Sequence, residues 1–336
     1  MPHVIVDVPV HAPALAALRA TPDVTVQVCE PETRSRQLTA QGLAEADVLF
    51  CSHAPANLDA MPRLRWMQIA SVGYSHLFGF GLSARGIAVT NARGCFDVPI
   101  AEWNLAMMVN LARDLRTMIR NQDSALWEVS AAFQREIRGM TLGIWGYGGI
   151  GRETARLART FGLRVEVLTR NGVSPRHDVY MVPGTGDPDG ILPNRVWRQG
   201  DELEFLRKLD FLLVAIPLTP STEGLIGERE LQALPRTAYV LNPARGPIIR
   251  QAALLRALDE GWIAGAALDT HYAYPLPGDH PLWRYSNVVL TPHISGSSLS
   301  QHFTARLWDI LVTNLQRRRD GAPMLNLLTE AELSGG

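Results

Sequence analysis

A chain of 336 residues with 46% apolar side chains is long enough for two domains with cores of ordinary size. Its net charge of −1, with both signs mixed along the sequence, excludes a strongly basic nucleic-acid or membrane-binding surface, and Arg317-Arg318-Arg319 reads as a solvated helix end. No stretch approaches about 18 uninterrupted apolar residues, so no membrane-spanning helix is expected. Cys29, Cys51 and Cys95 are too scattered for a disulfide framework or a zinc site, and no metal site is expected. These cysteines point to a reducing, cytoplasmic setting, as does a first apolar run that contains Asp7 and lacks a basic segment before it. The single lysine, Lys208, lies in a charged helical pattern and is a poor candidate for Schiff-base chemistry.

In chain order, residues 4–8 and 24–28 read as strands with a helix over 13–19 between them. Residues 48–51, 66–70 and 87–90 read as further strands, and the alternation implies a parallel sheet covered on both faces. One long helix is expected over 99–120, with Pro99 suited to its first turn. Residues 121–138 show little periodicity. A strand over 141–145, a helix ended by Gly162 and a strand over 165–168 follow. The stretch 173–200 carries four prolines and reads as a long loop of the kind that is often functional. Strands over 211–216, 238–242, 264–268 and 288–290 come next, with helices from Glu228 and Gln251, and a last long helix runs over 296–319.

Between the strand over 141–145 and its helix lies Gly146-Tyr147-Gly148-Gly149-Ile150-Gly151. In a G-x-G-x-x-G turn the first glycine permits the tight bend, the second lets the backbone approach a pyrophosphate, and the third lets helix pack on strand. Backbone N–H groups at the helix start then face the phosphates. Within a complete strand–turn–helix–strand unit this arrangement predicts dinucleotide binding.

Three later segments, LNPARGPIIRQAALLRAL (241–258), AALDTHYAYPLPGDHPLW (266–283) and LTPHISGSS (290–298), resemble the signature segments of the D-2-hydroxyacid dehydrogenase family. That family includes glyoxylate/hydroxypyruvate reductases, phosphoglycerate dehydrogenase and formate dehydrogenase. The likeness runs from SVGYSHL (71–77) to the final helix. It implies an α/β fold of two Rossmann-like doubly wound domains. The cofactor domain, 101–296, would be inserted into a flavodoxin-like substrate domain made of 1–100 and 297–336.

The resemblance assigns roles residue by residue. Arg245 is the catalytic arginine, whose guanidinium grips a carboxylate and polarises the adjacent carbonyl. His293 is the acid/base histidine, a residue type with an unperturbed pKa of about 6.5; the other eight histidines lie in no comparable motif. The family's usual glutamate, five residues after Asp269, falls on Tyr274, and a neutral phenol does not stabilise imidazolium as a carboxylate does. Formate dehydrogenase is similar in lacking that glutamate. Ile216, Pro217, Ala244, Asp269 and Gly296 join the glycine turn in the expected cofactor set. The amides of Val72 and Gly73 are expected to bind the substrate carboxylate. Phe96 stands where many relatives have a substrate-side asparagine, and it reads equally as core packing.

The leading expectation is hydride transfer between NADP(H) and a small 2-keto or 2-hydroxy acid. NADP is preferred over NAD because Thr169, Arg170 and Asn171 follow the second strand where an NAD site needs a carboxylate. Two rivals stand beside it: oxidation of a small anion, as by formate or phosphite dehydrogenase, and a dinucleotide-sensing binding protein akin to the corepressors related to the family. The segment 121–138 resembles the arm that crosses between subunits, which implies a homodimer, and Trp127 is its anchor or a reach toward the neighbour's cleft. The loop 173–200 either borders the adenosine end of the cofactor or is an insertion without contact to it.

Overall fold

The computed structural model describes residues 2–334 except 33, 40 and 130–134. Its chain forms two compact units: Met1–Cys95 with His177–Val182 and Ser298–Gly336, and Phe96–Arg176 with Pro183–Ser297.

In the first unit, β1 (His3–Asp7), β2 (Thr25–Val28), β3 (Val48–Cys51), β4 (Trp66–Ile69) and β5 (Ala88–Thr90) form a sheet of order β2-β1-β3-β4-β5. Every pairing is parallel, and the order is that of flavodoxin-like sheets. Ile5, Leu49, Met67 and Val89 bury one core beneath it.

The second unit holds β6 (Thr141–Trp145), β7 (Arg164–Thr169), β8 (Arg195–Arg198), β9 (Phe211–Val214), β10 (Tyr239–Asn242), β11 (Gly265–Leu268) and β12 (Val288–Leu290). All are parallel in the order β12-β11-β10-β9-β6-β7-β8. Counted from β6, this is the 3-2-1-4-5-6 order of a dinucleotide-binding sheet with one more strand. Side chains alternate between two buried faces, as a parallel sheet covered on both sides requires. Leu212, Val214, Val240 and Ala266 face one core, and Phe211, Leu213, Leu241 and Ala267 face the other.

Three local expectations are corrected. The helix expected over 99–120 is two helices, Asp97–Ala112 and Leu115–Asp123. Asp114 breaks it with φ 46° and caps the second helix by accepting from the Thr117 N–H. The final helix begins at Gln301, five residues later than expected, where Ser300 accepts the Phe303 N–H. The stretch 173–200 is not loop throughout, because 195–198 is the edge strand β8. The one buried side chain of β8 is Trp197, over which the Arg195 guanidinium stacks 3.4 Å from the ring centroid.

The rest of that stretch has two attachments. Its flanks are tied within the second unit to the helix Gly149–Thr160 and to the glycine turn. Arg152 donates to the carbonyls of Ser174 (2.6 Å) and Asp187, the Tyr147 hydroxyl donates to Asp187 (2.7 Å), and the Gly186 N–H donates to Glu153 (2.6 Å). Its middle, 177–182, belongs to the first unit. There Tyr180 is buried, its N–H donates to the Asn326 side chain (2.9 Å) and its hydroxyl to Asp309 (2.8 Å). The Asn326 N–H returns a bond to the Asp178 carbonyl (3.0 Å).

Candidate active site

The glycine turn sits at the carboxyl end of β6, next to the point where strand order reverses between β6 and β9, the usual ligand crevice of such sheets. Gly146 has φ 98°, and a Cβ there would lie 2.5 Å from the Ala215 carbonyl oxygen and 2.6 Å from Ile216. Only glycine lets the turn bend this way and reach the Ile216 segment. Gly148, at the N-cap of the helix Gly149–Thr160, meets nothing closer than the Arg176 guanidinium, 3.8 Å from its Cβ position. The turn is thus open at Gly148, where a phosphate group can approach the backbone, and its glycines fit a bound dinucleotide. Asp97, which no motif singles out, sets its carboxylate against Gly149.

At the end of β7, Thr169 keeps its hydroxyl buried with no hydrogen-bond partner among the described residues, and Arg170 and Asn171 are exposed. Arg198 on β8 pairs in register with Thr169, so the edge strand missed in the sequence brings a second guanidinium to this end of the sheet.

At the ends of β10, β11 and β12 the later motifs come together. Asn242 closes the turn after β10, accepting the Ala244 N–H (3.1 Å) and donating to the Arg245 carbonyl (2.9 Å). The exposed Arg245 side chain donates to the Ala244 carbonyl (2.7 Å). A Cβ on Gly246 would lie 2.6 Å from the carbonyl carbon and oxygen of His271, so a glycine here lets the arginine turn touch the segment after β11.

Asp269 is fully buried and holds the loop after β12. It accepts the Thr291 hydroxyl (2.5 Å), the Ile294 N–H (2.9 Å), the Ser295 N–H (3.1 Å) and the Ser295 hydroxyl. His293 lies inside this clamp with φ 58°, a left-handed conformation that costs a non-glycine residue roughly 1–2 kcal/mol. Bonds on both sides of it supply the over-determination that such strain needs. His293 is exposed, yet the protein around it still depresses its pKa below the ordinary histidine value. Partial desolvation is the largest cause; the Arg245 and His271 charges act in the same direction, and Asp269 opposes them.

Tyr274 lies beside His293, with ring centroids 5.5 Å apart and planes inclined at 45°. Its hydroxyl oxygen accepts the His271 N–H at 3.1 Å. Phe96 and Gly296 meet in the second unit, where a Cβ on Gly296 would be 2.8 Å from the Phe96 ring. Val72 and Gly73 lie in the first unit. Their carbonyls accept from Asn91 (2.8 Å) and Ser71 (2.7 Å), and no hydrogen bond among the described residues takes up their N–H groups. His271 is a functional candidate that motif reading passes over. Its one sequence signal is its place two residues after Asp269.

Among the described residues no group of three or more His, Cys, Asp or Glu could hold a metal ion, and no helix is long and apolar enough to cross a membrane. A sheet of dinucleotide-binding order with an arginine and a strained histidine beyond its strand ends fits the class of nicotinamide-dependent oxidoreductases. Residues 105–295 match the model of the D-isomer specific 2-hydroxyacid dehydrogenase NAD-binding domain. A glyoxylate reductase of Thermofilum pendens is 31% identical over 94% of this chain and 90% of its own length. The structure of a D-isomer specific 2-hydroxyacid dehydrogenase from Xanthobacter autotrophicus Py2 in complex with NADPH and MES is 25% identical, with a TM-score of 0.73 over 98% of this chain and 99% of that one. A Lactobacillus delbrueckii relative solved in its NAD-complexed form shares the fold, with a TM-score of 0.76 over 98% of this chain and 100% of that one at 21% identity. The chain belongs to the D-isomer specific 2-hydroxyacid dehydrogenase family. It catalyses NAD(P)-dependent hydride transfer to a 2-keto acid, a small carboxylate substrate.

Proposed function

We propose that this enzyme reduces a small 2-keto acid such as glyoxylate with NADPH, Arg245 binding the carboxylate and His293 supplying the proton. The observation that carries this reading is the clamp from Asp269, which holds His293 in a left-handed turn near the Arg245 charge. The turn Gly146–Gly151 with Ile150 and the helix start would hold the pyrophosphate, and Ile216, Pro217, Ala244, Asp269 and Gly296 the nicotinamide end. When bound, the cofactor supplies the hydride. The Val72 and Gly73 amides, whose N–H groups no described residue takes up, are the further groups we propose for binding the substrate carboxylate. Arg245 opposes the negative charge that grows on the carbonyl oxygen. His293, as imidazolium, gives that oxygen its proton. Tyr274 in place of a carboxylate favours a second reading, oxidation of formate or phosphite, and turnover of either with no keto-acid reduction would select it.

The cofactor preference rests on charge. No carboxylate ends β7 to repel a 2′-phosphate, while Arg170 follows it and Arg198 lies in register beside it. The expected result is a kcat/KM with NADPH at least about tenfold above that with NADH, a difference of roughly 1.4 kcal/mol; equal or better use of NADH overturns the preference.

We infer a homodimer from the segment after the helix Leu115–Asp123. There Leu126, Trp127 and Val129 are 57%, 92% and 80% exposed, an apolar surface suited to a second copy; residues 130–134 of that arm lie outside the described residues. Sedimentation at micromolar concentration should give twice the 37.0 kDa of one chain, and a monomer mass would rule the dimer out. The compartment we infer is the cytoplasm, since no disulfide engages the three cysteines.

A further inference from the structure

His271 is buried beneath the candidate site and touches three of its segments. Its Nε2 lies 2.8 Å from the Thr291 carbonyl oxygen. A carbonyl only accepts, so Nε2 carries the proton and the tautomer is set. Its backbone N–H holds the Tyr274 hydroxyl oxygen at 3.1 Å. Its own carbonyl packs where Gly246 lacks a side chain, directly after Arg245. The Thr291 carbonyl also takes the His293 N–H at 3.0 Å, so both imidazole residues hang from one oxygen.

A role as plain core filler does not account for this arrangement. Nδ1 of His271 is buried with no partner among the described residues, and a hydrocarbon of similar size would fill the volume without stranding a polar atom. The bonds His271 does make all lead to residues flanking or facing His293. In the resemblance that frames this chain, one glutamate orients the acid/base histidine, and here a tyrosine stands in that place.

We propose that His271 is a positioning residue for the proton transfer: its ring fixes the Thr291 carbonyl, and with it the left-handed turn of His293, while its N–H holds the Tyr274 phenol beside the His293 ring. An imidazole and a phenol thus share the orienting task of one carboxylate. The proposal rests on His293 being the proton donor, and the experiment separates the two claims.

The test uses the full-length enzyme with glyoxylate and NADPH, measuring kcat, KM and NADPH affinity for His271→Phe, His271→Gln, Tyr274→Phe and His293→Ala, and each His271 change combined with His293→Ala. Displacing a reacting group by about 1 Å costs roughly 10²-fold in rate. His271→Phe should therefore lower kcat about that much while KM and NADPH affinity stay within twofold. His271→Gln, whose amide donates to the Thr291 carbonyl, should recover most of the loss. Tyr274→Phe, which leaves the buried ring untouched, should lower kcat less than His271→Phe at unchanged melting temperature. In the His293→Ala background neither His271 change should lower the residual rate further, because residues acting as one unit are not additive. The proposal is overturned if His271→Phe keeps kcat within twofold, or if its loss adds fully to that of His293→Ala. Should His271→Phe fail to fold, His271→Gln decides: a kcat loss accompanied by equal loss of NADPH affinity marks a structural role and overturns the proposal. If His293→Ala itself reduces glyoxylate normally, the reading of the proton donor fails instead.

Discussion

Replacing His293 by alanine is expected to lower kcat for keto-acid reduction by about 10²–10⁴-fold, the usual worth of a positioned general acid, with NADPH affinity little changed. His293 is exposed and the clamp from Asp269 bonds Thr291, Ile294 and Ser295, not the imidazole, so the loop should survive the loss of the ring. The pH profile carries a sign. Only the imidazolium can give a proton to the product oxygen, and the His293 pKa is held below the ordinary value by desolvation first and the Arg245 charge second. Reduction should therefore fade on the alkaline side at a pH below about 6.5. Tyr274→Glu sets a carboxylate beside the ring, favours the charged form and should move that limb upward. A rate profile of kcat/KM with glyoxylate checks both statements, and an alkaline limb unmoved by Tyr274→Glu would show that position 274 does not address His293.

The second large effect is at Arg245. Arg245→Lys keeps one positive charge but loses the planar fork that matches a carboxylate. A loss of about 10²–10³-fold in kcat/KM is expected, the cost of removing one electrostatic stabiliser of the developing oxyanion. Arg245→Ala should lose more and should also raise the His293 pKa, because the guanidinium is one of the charges depressing it. Its residual rate should persist to higher pH than that of wild type. A KM increase with kcat unchanged would mean that Arg245 binds the ground and transition states equally and adds nothing to the chemical step.

What could be read from the sequence follows from how locally each feature is determined. A turn that needs φ 98° at Gly146 and close approach of helix to strand leaves few sequence solutions, so the dinucleotide unit was visible in six residues. Arg245, Asp269 and His293 could be singled out as candidates because each lies just after a strand in a short segment that resembles a family signature. Strand β8 was not, since Arg195–Arg198 buries one tryptophan between arginines and presents no alternation long enough to notice. The break at Asp114 hid because apolar spacing continues through it. His271 hid for a different reason. Its meaning lies in contacts to Thr291, Tyr274 and Gly246, the first of them 20 residues away, and no local pattern records them.

The course of residues 177–182 bears on how this chain can be cut and recombined. A domain inserted once into another leaves two seams. Here the chain changes unit at 95/96, 176/177, 182/183 and 297/298, so there are four. A fragment 96–297 would carry Tyr180 without Asn326 and Asp309, its two partners, and the remainder would keep a pocket at Gly94 shaped by the Tyr180 carbonyl. Neither piece is a closed module. A chimera that swaps the cofactor unit with that of a relative must bring 177–182 from the same parent as 298–336, which makes two seams a minimum no longer available to the engineer.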